Sequence, residues 1–331
     1  MDQQADLGSG KIGRLLFRMA MPNIIAQVIN ALYNVVDRIY IGHIPQVGAA
    51  ALTGVGLTFP LIIILSAFSC LIGMGAAPKV AFKLGAGDRD GAEEIVGNCT
   101  FSLLVISCLL TVLTQAFARP LLLAFGGNAE TTLPFAVSYI RVYAMGTIFV
   151  QFVLGMNPFI TAQGFSTAGM KTILIGAIAN IILDPIFIFG LNLGVTGAAL
   201  ASILSQALSA LWILKFLTGK KTTLRISKNH LRFRPAVMLP VLMLGLSPFI
   251  MQITESALSI SFNTALYRYG GDLAVGAMTI VSSVMQFTML PLSGLTQGAQ
   301  PIISYNFGAG KIKRVQKTFG LLLLCSVLFS T

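Results

Sequence analysis

Acidic side chains are scarce in this sequence. Its 331 residues hold eleven Asp and Glu against 22 Lys and Arg, and charged residues make up 10% of the chain. Soluble globular domains carry about 25%, so an ordinary water-facing surface is excluded. Cysteine, histidine and tryptophan are also rare, at four, two and one. Cys70, Cys99, Cys108 and Cys325 fall in or beside apolar stretches without metal-ligand spacing, and read as small packing residues. His43 and His230 are too few for a zinc site. Alternating ten-residue strands are missing, which excludes a transmembrane β-barrel. The polar start, Met1–Gly10, lacks a cleavable signal pattern. Gly308-Ala309-Gly310-Lys311 has neither the spacing nor the Ser/Thr of a P-loop, so no nucleotide site is legible. Asn98-Cys99-Thr100 is a chance glycosylation triplet. No GxGD motif accompanies Asp37 or Asp184, which argues against an intramembrane aspartyl protease.

What is abundant is apolar. Hydrophobic residues reach 55%, with 33 Gly and 22 Phe, and the mean hydropathy is +0.84. Nine hydrophobic segments are predicted, at 22–41, 52–77, 97–118, 135–156, 172–191, 195–217, 238–266, 274–300 and 318–331. The first eight are long enough to cross a hydrocarbon core of about 30 Å. The fold class is therefore an all-α polytopic membrane protein. The net charge of +11 suggests nucleic acid at first sight, but its placement says otherwise. Eighteen of the 22 basic residues fall on the side of the N-terminus, leaving Arg38, Arg119, Arg141 and Arg268 on the other. The positive-inside rule then puts the N-terminus in the cytoplasm of a bacterial or archaeal cell, with the chain in the cytoplasmic (inner) membrane. The excess is topological, and no nucleic-acid partner is expected. Anionic lipid at the 215–234 loop is the alternative use of that charge.

The chain repeats itself. GAAPKVAFKLGAG (75–87) recurs as GAQPIISYNFGAG (298–310) at an offset of 223, and Pro22 matches Pro248 at 226. Asp37 then falls opposite Asn263. The organisation read from this is a six-helix bundle at 1–214, a basic linker at 215–237 and part of a second bundle at 238–331, related by a parallel repeat. The ninth segment matches the third and stops while still apolar. The expectation is a natural chain of about 450 residues with twelve helices, of which this one holds eight and a half.

Three acids lie inside apolar segments: Asp37, Asp184 and Glu255. Each costs about 2.5–3.5 kcal/mol at a helix centre, so a use for them is expected. In the first segment Asn23, Gln27, Asn30, Asn34 and Asp37 are spaced 4, 3, 4, 3 and form one polar stripe. The stripe reads either as helix-to-helix glue or as the lining of a water-filled path, and Asp37 favours the path. In the fifth segment Asn180 and Asp184 share a face, and Pro185 cannot donate to the Ile181 carbonyl. An amide, a carboxylate and a free carbonyl suit a proton or a hard cation such as Na+; a plain kinked helix is the alternative. Asp37 and Asp184 lie about 22 and 18 Å into their helices, so they meet if segments one and five pack together. Two close carboxylates would not both ionise. Glu255 has Gln252, Ser259 and Asn263 on its face and serves the second bundle.

These residues carry a resemblance. PNIIAQVINALYNVVDRIYIG from Pro22 through Asp37 to Gly42, Gly85-Ala86-Gly87, Asn157 with Gln163-Gly164 and Met170, Asn180 with Asp184-Pro185, and Glu255 together resemble the MATE (multidrug and toxic compound extrusion) family in its prokaryotic DinF-like branch. The resemblance covers the whole chain, with Thr161 standing where the family pattern often has a basic residue. It implies a two-lobe secondary transporter, not an enzyme. Such a transporter exports small cationic drugs or dyes in exchange for H+ or Na+ by alternating access. It also implies a coupling cluster of Asp37, Asn180 and Asp184, with Ser202 joining by position and Glu255 serving the other lobe. Gln27, Asn30, Asn34, Gln252, Ser259 and Asn263 are expected to line the cleft. No cofactor is expected, the partner besides substrate is the bilayer, and the chain is expected to act as a monomer. The rival function is a lipid-linked oligosaccharide flippase on a related scaffold, which would want fixed basic residues in its cleft.

Overall fold

The computed structural model describes residues 4–125, 130–220 and 222–330; the side chains of Lys228 and of most of residues 263–286 lie outside the described set. Among the described residues there is no strand. The helices are α1 (Ile12–Gly42), α2 (Gly48–Gly85), α3 (Arg89–Ala124), α4 (Leu133–Met145), α5 (Thr147–Ala162), α6 (Ser166–Pro185), α7 (Gly194–Thr218), α8 (Pro235–Gly308) and α9 (Ile312–Ser330), with a π-helical turn at Ile186–Gly190 and a 3-10 turn at Lys228–His230. A membrane interior offers no water to backbone groups, so apolar runs of this length close their hydrogen bonds within helices. Six described helices are long and apolar enough to span a bilayer, and the pair α4 and α5 counts as a seventh bent by 60°. That bend divides the continuous run expected at 135–156. Gly146 sits at the break, where a Cβ would press into the Ile203 side chain. Glycine there allows α7 to come close.

The 74-residue α8 is not one rod. Straight, it would be about 111 Å long. Yet Gly245 packs on Leu71 and Gly308 on Phe82, positions only about 16 Å apart along α2. The chain therefore reverses between Ser256, which bonds to the Pro60 carbonyl, and Gly294, which packs on Ile24. Two antiparallel limbs result, matching the two apolar runs read from the sequence.

The repeat is visible atom by atom. α2 and α8 are each followed, two residues on, by a glycine of positive φ, +79° at Gly87 and +69° at Gly310, the conformation that a side chain resists. The turn hydrogen bonds recur at the same offset: Ala86 N to Phe82 O and Ala309 N to Tyr305 O, Asp88 N to Lys83 O and Lys311 N to Asn306 O. The helices pack reciprocally as well. A Cβ on Gly85 would strike the Tyr305 carbonyl, and one on Gly308 the Phe82 carbonyl, its repeat counterpart. Gly75 faces Val241 and Gly245 at the foot of α8, while Gly298 faces Met19 and Ala20 at the foot of α1. Each first helix thus packs against the second helix of the other copy. In lipid, where tails are as apolar as the side chains, such backbone-close contact is the main source of helix association.

A buried core joins α2, α3, α5 and α7. Ile72, Val80, Val96, Leu103, Met156, Phe159, Ile160, Ile213 and Leu217 form a cluster that also takes in Met238 and Val241 from α8. Gln151, fully buried, ties α5 to α2 by accepting from Ser69 Oγ at 2.5 Å and donating to Leu65 O at 2.6 Å. The basic stretch after α7 is docked rather than loose. Buried Gln163 accepts at Oε1 from Thr222 Oγ1 (2.8 Å), Thr223 N (2.9 Å) and Leu224 N (3.0 Å). Arg234 pairs with Glu94, and its backbone N–H donates to Asn98 Oδ1 at 2.6 Å.

Candidate functional site

α1 and α6 lie side by side, and their polar residues face one another inside the first bundle. Asp184 is fully buried and Asn180 nearly so, at 0% and 2% exposure; Asp37 is half-buried. The Asp37 and Asp184 carboxyl groups lie within electrostatic reach of each other. Asn180 Nδ2 donates to Asp184 Oδ1 at 3.2 Å. Three further oxygens, Asp37 Oδ1, Asn180 Oδ1 and Asp184 Oδ2, are shut off from solvent without a hydrogen-bond partner. Buried polar atoms are nearly always satisfied, so three orphans in one cluster make it the candidate site. The donors are all oxygen, which suits a proton or a hard cation and not a soft transition metal. Among the described residues no group of three or more His, Cys, Asp or Glu could hold a metal.

The local backbone explains how Asp184 is presented. Pro185 closes α6 and brings no N–H, which leaves the Ile181 carbonyl without its helical donor. The helix then widens into a π turn, with Leu191 N bonded five residues back to Ile186 O at 2.8 Å. Such turns often sit beside functional residues.

Tyrosines complete the walls, and the sequence reading did not single them out. Tyr139 is 4% exposed and lies near Asp37 and Ser202. It stacks on Tyr143 at 6.0 Å between centroids. Tyr33 lies within electrostatic reach of both acids. The i,i+4 spacing of Tyr139 and Tyr143 puts them on one face of α4, but only the packing of α4 on α7 turns that face toward Asp37. Arg38, next in sequence to Asp37, stacks its guanidinium over Phe59 at 4.4 Å.

The remaining expected residues are dispersed. Gln27, Asn30 and Asn34 are half-buried on α1, and Asn34 Nδ2 donates to Asn30 O at 2.6 Å. Gln252 bridges α8 to α2, accepting from Ser66 Oγ at 3.0 Å and donating to Cys70 Sγ. Glu255 and Ser259 are exposed, and Glu255 makes no hydrogen bond or ion pair among the described residues. The side chain of Asn263 lies outside them.

The MatE family model matches residues 22–186 and again 248–331. The chain belongs to the MatE family. The two matches start at Pro22 and Pro248, the same offset that the repeat shows. This MatE chain is 27% identical over 319 residues to the multidrug export protein MepA of Staphylococcus haemolyticus, covering 96% of itself and 70% of that protein. With MepA of Staphylococcus aureus the identity is 24% over 316 residues, covering 96% and 69%. Among solved structures, a chain named protein A is 34% identical, with a TM-score of 0.89 over all of this chain and 74% of that one. A MOP superfamily transporter from Pyrococcus furiosus superposes with a TM-score of 0.90 at 23% identity, over 99% and 72%.

Proposed function

We propose that this MatE protein is a secondary active multidrug exporter that exchanges cationic amphiphilic compounds for H+ or Na+ by alternating access. The observation that carries the reading is the buried cluster of Asp37, Asn180 and Asp184 with its three unpartnered oxygens. An ion or proton arriving from outside neutralises the paired carboxyls. That change alters the packing of α1 against α6 and weakens the hold on a bound organic cation, which leaves outward. Tyr139 stands beside Asp37, Ser202 joins the cluster by position, and Glu255 serves the second half of the molecule. The multidrug export function of the staphylococcal relatives supports this choice of substrate class. In this reading the chain sits as a monomer in the cytoplasmic membrane with its N-terminus inside. Residues 1–214 and 238–331 belong to two lobes joined by 215–237.

The test is ethidium efflux from energised cells, comparing wild type with Asp184→Asn at equal membrane abundance. Loss of efflux in the variant supports ion-coupled export through the first bundle. Equal efflux in both overturns that site assignment. No efflux in either overturns the exporter reading and favours the flippase. Repeating the assay without Na+ separates the two ions.

A further inference from the structure

The segment before α1 crosses from one half of the molecule to the other. At its start Gln4 Nε2 donates to Gln163 O at 2.9 Å and to Thr223 Oγ1 at 3.0 Å, and Ala5 N donates to Gly164 O at 3.0 Å. Gly164 has a φ of +91°, and a Cβ there would sit 2.6 Å from Ala5 O; glycine is what lets the segment lie down. These partners all belong to the first bundle and its docked linker. Three residues further the grip changes hands. Leu7 O accepts from Asn306 Nδ2 (2.8 Å), Gly8 O from Lys311 Nζ (2.8 Å), and Ser9 O and Gly10 O from the Arg314 guanidinium (2.8 and 2.9 Å). Asn306 Oδ1 in turn accepts from Arg314 Nε at 3.0 Å. Asp6 shapes the turn by accepting from Ser9 Oγ and Gly8 N. Ala5 and Leu7 are buried with Leu15, Met19, Ala299 and Ile302, between the feet of α1 and α8.

The internal repeat supplies a control for whether this grip is incidental. At the offset of 223, Asn306, Lys311 and Arg314 correspond to Lys83, Asp88 and Gly91. Those residues satisfy one another: Lys83 pairs with Asp88 at 2.6 Å, and Asp88 caps Gly91 at 2.9 Å. The same turn is therefore self-contained in the first copy. In the second it is rebuilt to point an amide, an ammonium and a guanidinium at three consecutive carbonyls and their neighbour.

We propose that Gln4–Gly10 is a latch that holds the two lobes together on the N-terminal face of the membrane and must let go before the cleft opens there. The proposal rests on the alternating-access reading above. While the segment is bound, Ile302 is sealed against the foot of α1; once it releases, the seam between α1 and α8 can part.

The test uses the full chain with its four native cysteines replaced by Ser and Ile302→Cys as reporter. The rate at which a membrane-permeant maleimide labels position 302 reads opening on that face. Asn306→Ala removes both ends of the Asn306 bridge and is expected to raise labelling about tenfold. Arg314→Lys keeps the charge but loses the two-pronged grip, and is expected to give a smaller rise in the same direction. Lys313→Ala, an exposed neighbour off the segment, should change nothing. Unchanged labelling in both Asn306→Ala and Arg314→Lys overturns the latch. If Asn306→Ala fails to fold, Arg314→Lys alone decides. Labelling needs no transport, so absent ethidium efflux in wild type refutes the exporter while leaving the latch to its own result.

Discussion

Adding one methyl group at the seam between the halves should cost more than almost any surface change. A Cβ on Gly298 would lie 2.5 Å from Ala20 Cα and 2.6 Å from Ala20 N. Both are backbone atoms of α1 and cannot swing aside. Restoring an ordinary contact means moving α1 and α8 apart by about 1 Å, and overpacking of this kind costs about 1–3 kcal/mol. Alanine returns up to about 1 kcal/mol through its better helix propensity, leaving a net loss of up to about 2 kcal/mol for Gly298→Ala. The counterpart Gly75→Ala meets the backbone of Gly245 at 2.8–2.9 Å, and the repeat predicts a penalty of similar size. Gly56→Ala in α2 is the control, since nothing lies within 4 Å of its Cβ; it should be neutral or slightly stabilising. Thermal unfolding of the purified protein in detergent measures all three. If Gly298→Ala melts with Gly56→Ala, the close approach of α1 and α8 does not limit stability and the reasoning fails.

Gln163→Leu strands the N–H groups of Thr223 and Leu224. It should weaken linker docking by about 2–4 kcal/mol, seen as faster trypsin cleavage at Arg225; cleavage at the wild-type rate would refute it. Asp88 is held below the usual carboxylate range by the Lys83 ammonium and by the Gly91 N–H. Its contribution is therefore present above the usual carboxylate range and lost as pH falls below that range through the lowered native value, so Asp88→Asn should lower the melting temperature more at pH 7 than in acid. If two ions exchange for one monovalent drug, each 100 mV adds about 2.3 kcal/mol of drive; export indifferent to voltage, measured in proteoliposomes with a clamped potential, would leave only the one-for-one exchange.

The apolar runs, their ends and the repeat were legible because each depends on residues close in sequence. The GAG turns marked the repeat, and the 22–37 stripe announced a polar face on α1. Asp37 and Asp184 were open to pairing by depth alone, since helices entering from the same side bring residues at equal depth to equal height. The tyrosines were not legible, because Tyr139 becomes a wall only through the packing of α4 on α7. The bend at Gly146 was hidden in an unbroken apolar run. Its cause, the nearness of Ile203, lies some sixty residues away. The stretch at 215–237 looked like a solvated tether by composition, but Gln163 and Asn98, remote in sequence, fasten it to the first bundle. Gln252 looked like cleft lining for the same reason: its face is polar, but its partners Ser66 and Cys70 are on another helix.

The reciprocal contacts made by Gly75 and its counterpart Gly298, and by Gly85 and its counterpart Gly308, are those of an isologous interface, the kind that two identical chains form about a two-fold axis. A half-length ancestor dimerising through this surface would have had every substitution appear twice, once in each partner. Any acid gained at the position of Asp37 would have been matched by a second one across the axis. Fusion into one chain ended that obligation, and Asp37 now stands opposite Asn263. Covalent duplication allowed one ancestral surface to become two unequal ones, with the paired acids kept on one side of the axis only.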